Sequence, residues 1–472
     1  MKRAVLLAPL LLLAGCWSVG PDYQQPAMPE TGPIFRAGQT AAIRFSEPPE
    51  RWWESLNDAK LNQLIEMALA DNLDLKAATA NLQAARANRD AVAASQYPRV
   101  DANAALQRAR QAAATQIGNQ YVKLPDVWAT EAGLGLSWEL DLFGRVRRAV
   151  EAADADQAQI DALRNQVLTV TLADVAATYI DLRGAQLRVS VAEHNLEVQR
   201  KTYQLTVTLS DAGRGTDLDV ARARAQLEST VATMPPLQAQ ITADKNRLAL
   251  LVGQPPGTLD TILDEPAPLP SVPEFMPVGS PASMLRRRPD VAASERALAG
   301  ASARIGVATA DLFPTISFTA APSWVGAQPG DLTKPGAFSY GIGPAISMPI
   351  FDLSVYARIR AANANEQSAL ANYQKVVLTA LAEAETVLEG YEQDRLRRQS
   401  LSVAASASSR AAELASTRYL FGAENFLTVL DAEARELAAE DQLAQSQIAV
   451  TTDLVSIYRA MGGGWSVAPP PM

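Results

Sequence analysis

Residues 131–145 read EAGLGLSWELDLFGR. Ala132, Leu134, Leu136 and Trp138 alternate with Glu131, Gly133, Gly135 and Ser137, the two-residue period of a strand with one apolar face. At Gly144 the pattern changes. No proline occurs from Asp126 to Met234, and the sequence can carry one helix from about Gly144 to Gly213. At 1.5 Å per residue, a helix of about 70 residues is about 105 Å long. A strand of membrane-crossing length that feeds directly into so long a helix restricts the architecture more than any other stretch.

The same arrangement occurs again. Phe338, Tyr340, Ile342, Ile346 and Met348 alternate with Ser339, Gly341, Gly343, Ala345 and Ser347, and a second long helix is predicted from about Asp352 to Phe421. Tyr97-Pro98-Arg99-Val100 returns as Phe313-Pro314-Thr315-Ile316, Val167-Leu168-Thr169 as Val377-Leu378-Thr379, and Leu251-Val252-Gly253 as Ala460-Met461-Gly462, at offsets of 216, 210 and 209. A nearly constant offset over this distance indicates tandem copies of one unit. The expected organisation is a signal segment 1–15, an N-terminal segment 16–56, a first repeat 57–253, a proline-rich connector 254–280, a second repeat 281–462 and a tail 463–472. Within each repeat a helix such as Leu61–Ala94 precedes a strand pair. The long helix follows, and then a shorter one such as Thr216–Val252. Leu443, Gln447, Val450, Leu454, Ile457 and Met461, and in the first copy Met234, Gln238, Ile241, Lys245, Leu248 and Val252, step by four and three as along a coiled-coil seam.

Weaker alternation through Val100, Ala102, Ala104 and Leu106, and through Ile316, Phe318 and Ala320, completes two strand pairs of about ten residues, the length of a tilted membrane strand. A soluble sandwich with one buried face would alternate in the same way. The N-terminus favours the membrane. Lys2 and Arg3 precede an apolar run from Ala4 to Ala14, the form of an export signal, which ends in Leu13-Ala14-Gly15-Cys16. This resembles a bacterial lipobox and makes Cys16, the single cysteine, the expected acylation site, carrying a diacylglycerol and an N-acyl chain. Trp17 follows, with no aspartate there to suggest inner-membrane retention. After Ala14 no apolar stretch approaches the length of a spanning helix, so a membrane crossing would use strands. Four strands are too few for a closed barrel, and open edges are not left in lipid, so the barrel must be shared between chains.

The composition narrows the function. With 42 Lys and Arg against 51 Asp and Glu, the net charge of -9 disfavours a nucleic-acid partner. One Cys and one His exclude a disulfide framework and multi-histidine metal sites. There is no Gly-Lys-Ser/Thr phosphate loop and no Gly-x-Ser-x-Gly elbow, so no enzyme is expected. Gly462-Gly463-Gly464 reads as a helix stop, His194 as a solvated surface residue and Arg286-Arg287-Arg288 as an ion-pairing run. A periplasmic coiled-coil scaffold would share the anchor and helices but would not need the four alternating strands.

At this point the chain resembles the TolC-like outer-membrane efflux channels, in particular the lipoprotein branch that works with resistance-nodulation-division pumps. The residues that carry the resemblance are VGPDY at Val19–Tyr23, Trp52-Trp53, NLDL at Asn72–Leu75 and WELDLFGR at Trp138–Arg145. They continue with LRRRPDV at Leu285–Val291, DLFP at Asp311–Pro314, LDA at Leu430–Ala432 and GGGW at Gly462–Trp465. The resemblance implies a mainly α chain that trimerises. Twelve strands, four per chain, would form one β-barrel in the outer membrane of a Gram-negative bacterium, and the helices a coiled-coil α-helical barrel in the periplasm. It implies a passive exit conduit for drugs or small molecules, with a periplasmic membrane-fusion adaptor and an inner-membrane resistance-nodulation-division pump as partners. A protein-secretion duct is the second reading.

The same resemblance places the gate at the far helix turns, with Gly213, Gly422 and Phe421 at the tip that meets adaptor or pump. Aspartates at matching positions in the family are associated with constriction, which points to Asp219 and Asp431. The family often has a basic residue three positions after the second aspartate. That position is Ala434 here, so Arg435 and the repeat-related Arg222 are the candidate partners of Asp431. If the carboxylates are not the gate, the apolar tip residues Leu420, Phe421 and Phe426 are the alternative.

Overall fold

A computed structural model describes residues 18–27, 32–37, 43–109, 116–117, 120–121 and 126–467. Cys16 and the lipobox therefore lie outside the described residues. The main helices are α1 (Ala59–Asp71), α2 (Leu73–Ala93), α3 (Arg145–Asp211), α4 (Asp217–Leu251), α5 (Pro281–Arg287), α6 (Pro289–Ala310), α7 (Leu353–Leu420) and α8 (Phe426–Ala460). The main strands are β1 (Arg99–Ala109), β2 (Val127–Leu140), β3 (Thr315–Gly326) and β4 (Phe338–Ser347). The two long helices, of 67 and 68 residues, are each about 100 Å long at the standard rise. Among the described residues no helix is long and apolar enough to cross a membrane.

The four strands form a single antiparallel sheet in the order β1-β2-β3-β4. Sequence alternation predicts two strand pairs and leaves open how they meet. The structure joins them through β2 and β3, Trp138 facing Phe318 and Ala132 facing Trp324. The β2–β3 ladder skips Leu134 and Gly135, opposite Pro322 and Ala321 respectively, because Pro322 has no N–H to donate. Apolar strand side chains such as Leu134, Tyr340, Ile342 and Ile346 remain exposed within the chain, and β1 and β4 each have one neighbour.

The described residues fall into two compact units. One gathers 18–27, 83–160 and 294–373, and the other takes the rest. Neither unit corresponds to a sequence repeat. Each takes matching segments from both copies, because β2 pairs with β3 across the repeats.

Two expectations need correction. The helix predicted over Leu61–Ala94 is broken at Asn72, whose extended backbone ends α1. Its side-chain oxygen accepts from Leu75 N at 2.9 Å and its amide donates to Leu251 O at 2.8 Å, so Asn72 caps one helix while tying down the end of another. The seam predicted on α4 holds at Leu248 and Val252, both buried, but not before them. There the buried residues are Ala223, Thr230, Leu237 and Asp244, seven apart, whereas Gln238 is exposed. Lys245 pairs instead with Asp264 of the connector. On α8 the expected seam is the buried one from Val450 through Leu454 and Ile457 to Met461. The helix α4 continues through Pro235-Pro236, which removes two backbone donors without ending it.

The proline-rich connector is ordered, with a short helical turn at Asp260–Leu263 and a two-residue strand at Met276–Pro277 that pairs in parallel with Ile43–Arg44.

Candidate functional site

The motifs quoted above converge on three places. The first, at the junction of β2 and α3, lies within the unit that contains the sheet. Gly144 has φ 84° and turns the chain from strand to helix. A Cβ there would come within 2.3 Å of Ser18 Oγ, so glycine is required by both conformation and space. Val19 N donates to Phe143 O at 3.1 Å. The Arg148 guanidinium, 5% exposed, donates to Val19 O at 3.2 Å and to Asp22 at 2.6 Å. Phe143 stacks on Phe313 at 4.9 Å, and Tyr23 Oη donates to Glu295 at 3.3 Å. Burial and the neighbouring Glu295 charge push the Tyr23 hydroxyl up to about 12, so it remains a donor. VGPDY, WELDLFGR and DLFP thus form one clamp that holds the segment after Cys16 against the end of a sheet strand.

The second place is a knot in the other unit. Trp52 and Trp53 are fully buried, and Trp52 stacks on Tyr458 at 5.0 Å and 18°. Helix α8 ends on Gly462 at φ 68°, with Gly463 N donating to Tyr458 O at 3.1 Å, a left-handed helix stop as expected. Arg288 donates to both oxygens of Asp290, at 3.0 and 2.7 Å, to Glu383 at 2.8 Å and to the free carbonyl of Ala460 at 2.9 Å. Trp465 Nε1 donates to Arg287 O at 2.9 Å, and Arg287 pairs with Glu47 at 2.8 Å. Arg286 is exposed. The basic run is therefore an ion-pairing element, and its third arginine caps the end of a helix.

The third place holds the two helix turns to which the gate was assigned. α3 ends on Gly213 at φ 68° and α7 on Gly422 at φ 71°, and in each the next residue's N–H reaches back to the last helical turn, Arg214 to Leu209 O at 2.8 Å and Ala423 to Arg418 O at 2.9 Å. Thr216 and Asn425 then cap α4 and α8. The two turns share one geometry at positions 209 residues apart. Ala223, Ala415, Phe426, Val429 and Leu430 pack together beneath them, with Tyr203, Tyr419 and Ala432 alongside.

The predicted tip residues divide by exposure. Phe426 is 4% exposed and lies 5.4 Å from the Tyr419 ring, so it is part of this core and not a free gate residue. Leu420 and Phe421 are 63% and 84% exposed. Asp219 is exposed and accepts from the Thr216 hydroxyl at 2.7 Å, while its own N–H donates back to Thr216 Oγ1 at 3.2 Å, so it completes a helix cap. Asp431 pairs with Arg435 at 2.9 Å, one turn on in the same helix, and Arg222 stands exposed on α4. His194 is exposed, as expected.

One residue of this region escaped the sequence reading. Glu433, 4% exposed, accepts from Thr202 Oγ1 at 2.6 Å, and burial raises its carboxyl above the usual range. Its signal is the spacing Phe426, Leu430, Glu433, Leu437, which puts a carboxylate on an apolar seam.

Comparison with known proteins places this geometry. The sequence profile of the family described as outer membrane efflux protein matches residues 64–254 and 281–463. The chain is 31% identical over 468 residues to the probable efflux pump outer membrane protein TtgC of Pseudomonas putida, covering 96% of this chain and 94% of that one. It is also 31% identical over 477 residues to the outer membrane protein OprJ of Pseudomonas aeruginosa, covering 98% and 97%. Among solved structures it resembles the outer-membrane channel OprN, with a TM-score of 0.89, 40% identity and coverage of 95% and 99%. The open-state MtrE outer membrane channel of Neisseria gonorrhoeae gives 0.82, 29%, 95% and 98%.

Proposed function

The chain belongs to the outer membrane efflux protein family, and from that premise we propose that it is the passive exit channel of a tripartite small-molecule efflux pump. The observation that carries the reading is the single four-stranded sheet, with one-sided edges at β1 and β4, joined directly to helices of 67 and 68 residues. Backbone groups on a sheet edge cannot be left unpaired in lipid, so the edges call for strands of other copies, and a homotrimer supplies twelve. Energy then comes from an inner-membrane resistance-nodulation-division pump, with a periplasmic adaptor between. The exposed Leu420 and Phe421, beside the turns at Gly213 and Gly422, are the contact offered to that adaptor or pump.

Asp219 and Asp431 are the gate carboxylates in this reading. Three copies would bring up to six of them together. Such a ring attracts cations, and the unneutralised charges resist being crowded. The Arg435 partner lowers that cost at Asp431. In planar bilayers the purified protein is expected to give discrete channel steps, and Asp219→Ala/Asp431→Ala larger steps with weaker cation preference. Absence of channels would refute the conduit. Unchanged conductance and selectivity in an intact double variant would move the gate to Leu420 and Phe421.

Acylation of Cys16 belongs to the same proposal. In the sequence Cys16 stands two residues before Ser18, where the clamp begins. An acyl chain there contributes roughly 0.8 kcal/mol per buried methylene. Cys16→Ser behind an ordinary signal peptide is expected to lose the lipid, seen as a mass decrease, yet remain in the outer-membrane fraction because the strands hold it there. Loss of the variant from that fraction would mean that the anchor, not the barrel, retains the protein.

A further inference from the structure

A cavity of about 430 Å³ lies between α3, α7 and α8. Its wall includes Glu433 and Glu436 of α8, Thr202 of α3 and Ser409 of α7, with apolar cover from Val198 and Leu205. Glu433 and Glu436 stand three residues apart, which puts both carboxyls on one face of the helix. Glu433 is 4% exposed. Its Oε1 accepts from Thr202 Oγ1 at 2.6 Å, and its Oε2 is buried with no donor. The cations around the cavity are engaged elsewhere. Lys201, exposed at its open side, pairs with Glu197 at 2.6 Å, Arg410 with Glu413 at 2.6 Å and Arg435 with Asp431 at 2.9 Å.

A buried carboxyl with an oxygen that no donor reaches costs free energy, and a positively charged N–H donor recovers most of it. A metal ion does not suit the place. Among the described residues no three carboxyl, imidazole or thiol groups gather closely enough to hold one. Two carboxyls beside an apolar wall suit instead a cation that carries its own N–H groups and an apolar body. We propose that this cavity binds a small organic cation, a primary ammonium or guanidinium group on a short apolar body, with its N–H groups on the carboxyls of Glu433 and Glu436 and its body against Val198 and Leu205. The site goes beyond the conduit reading and does not depend on it.

Proton and organic cation compete for the same carboxyls. Burial raises both Glu433 and Glu436 above the usual carboxylate range. The other charged groups facing them are Lys201 on α3, Glu413 on α7 and Glu440 on α8, and each is already paired, Glu440 accepting from Asn195 at 2.6 Å. His194 of α3 is exposed. The cation binds the ionised carboxyls, so its affinity is full above their pKa values and falls as pH drops through them.

Isothermal titration calorimetry of the purified full-length protein in a neutral detergent tests this, with phenethylammonium chloride as the probe and phenethyl alcohol as its uncharged counterpart. The expected result is saturable binding of the ammonium at a single site per chain and none of the alcohol. Affinity should be about tenfold weaker in Glu433→Gln and in Glu436→Gln, and weaker near pH 5 than near pH 8. No saturable binding to the wild type, undiminished binding to both variants, equal binding of the alcohol or an affinity indifferent to pH would each overturn the proposal. Displacement of the probe by an equal concentration of potassium chloride overturns it too, because the site then takes any monovalent cation. Glu436 is only partly buried, so Glu436→Gln carries the test should Glu433→Gln fail to fold.

Discussion

Trp52→Ala is expected to remove about 3–5 kcal/mol of stability, the range for truncating a large aromatic side chain in a core that cannot collapse around it. Trp52 is 1% exposed, its ring is stacked on Tyr458, and a Cβ built at Gly464 would already stand 3.1 Å from its Nε1. The glycine turn has no side chain with which to refill the cavity. Thermal denaturation of the purified protein should show a clear fall in melting temperature, and Trp52→Phe, which keeps a ring on Tyr458, a much smaller one. A wild-type melting profile for Trp52→Ala would mean that the knot around Gly462–Trp465 contributes little to holding the chain together.

Arg288→Ala is expected to cost less, about 1–3 kcal/mol, because it leaves two partly exposed carboxylates and the Ala460 carbonyl without their shared donor. Asp290 and Glu383 lose a shared partner that is 10% exposed, and the Ala460 carbonyl loses the donor that ends α8. Lysine should rescue only in part, since an ammonium cannot span both oxygens of Asp290 and still reach Ala460. Adding Asp290→Asn and Glu383→Gln to Arg288→Ala should recover stability, because the unpaired charges are then gone. A triple variant that melts no higher than Arg288→Ala would show that the loss comes from packing or from the helix end and not from orphaned charge.

Much of this molecule was legible in residue order, wherever a feature depends on neighbours along the chain. Alternation in EAGLGLSWEL fixes a strand because side chains two apart share a face, and it needs no knowledge of what lies opposite. The absence of proline and the glycines at 213 and 422 bounded the long helices to within two residues of Arg145–Asp211 and Leu353–Leu420. Capping at Thr216 and Asn425 is equally local. Asp219 stands three residues from its cap, and Arg435 four residues from Asp431, which is why the ionic partner on the same helix prevails over Arg222 on another.

What the sequence by itself determined is therefore the strands, the two long helices and their lengths, the repetition of the unit and the need for more strands than one chain has. Tertiary structure alone decided which faces are buried and which motifs meet. Nothing in the order of residues says that β2 pairs with β3, or that the seam of α4 runs through Ala223, Thr230, Leu237 and Asp244 rather than through Met234 and Gln238. It could not reveal that Trp52, Arg288 and Gly462, spread over about four hundred residues, close one knot. The physical reason is that period and capping depend on backbone geometry within one or two turns. Burial and charge pairing depend on which distant segment fills the remaining space, and a helix with polar residues on several faces is compatible with more than one such neighbour.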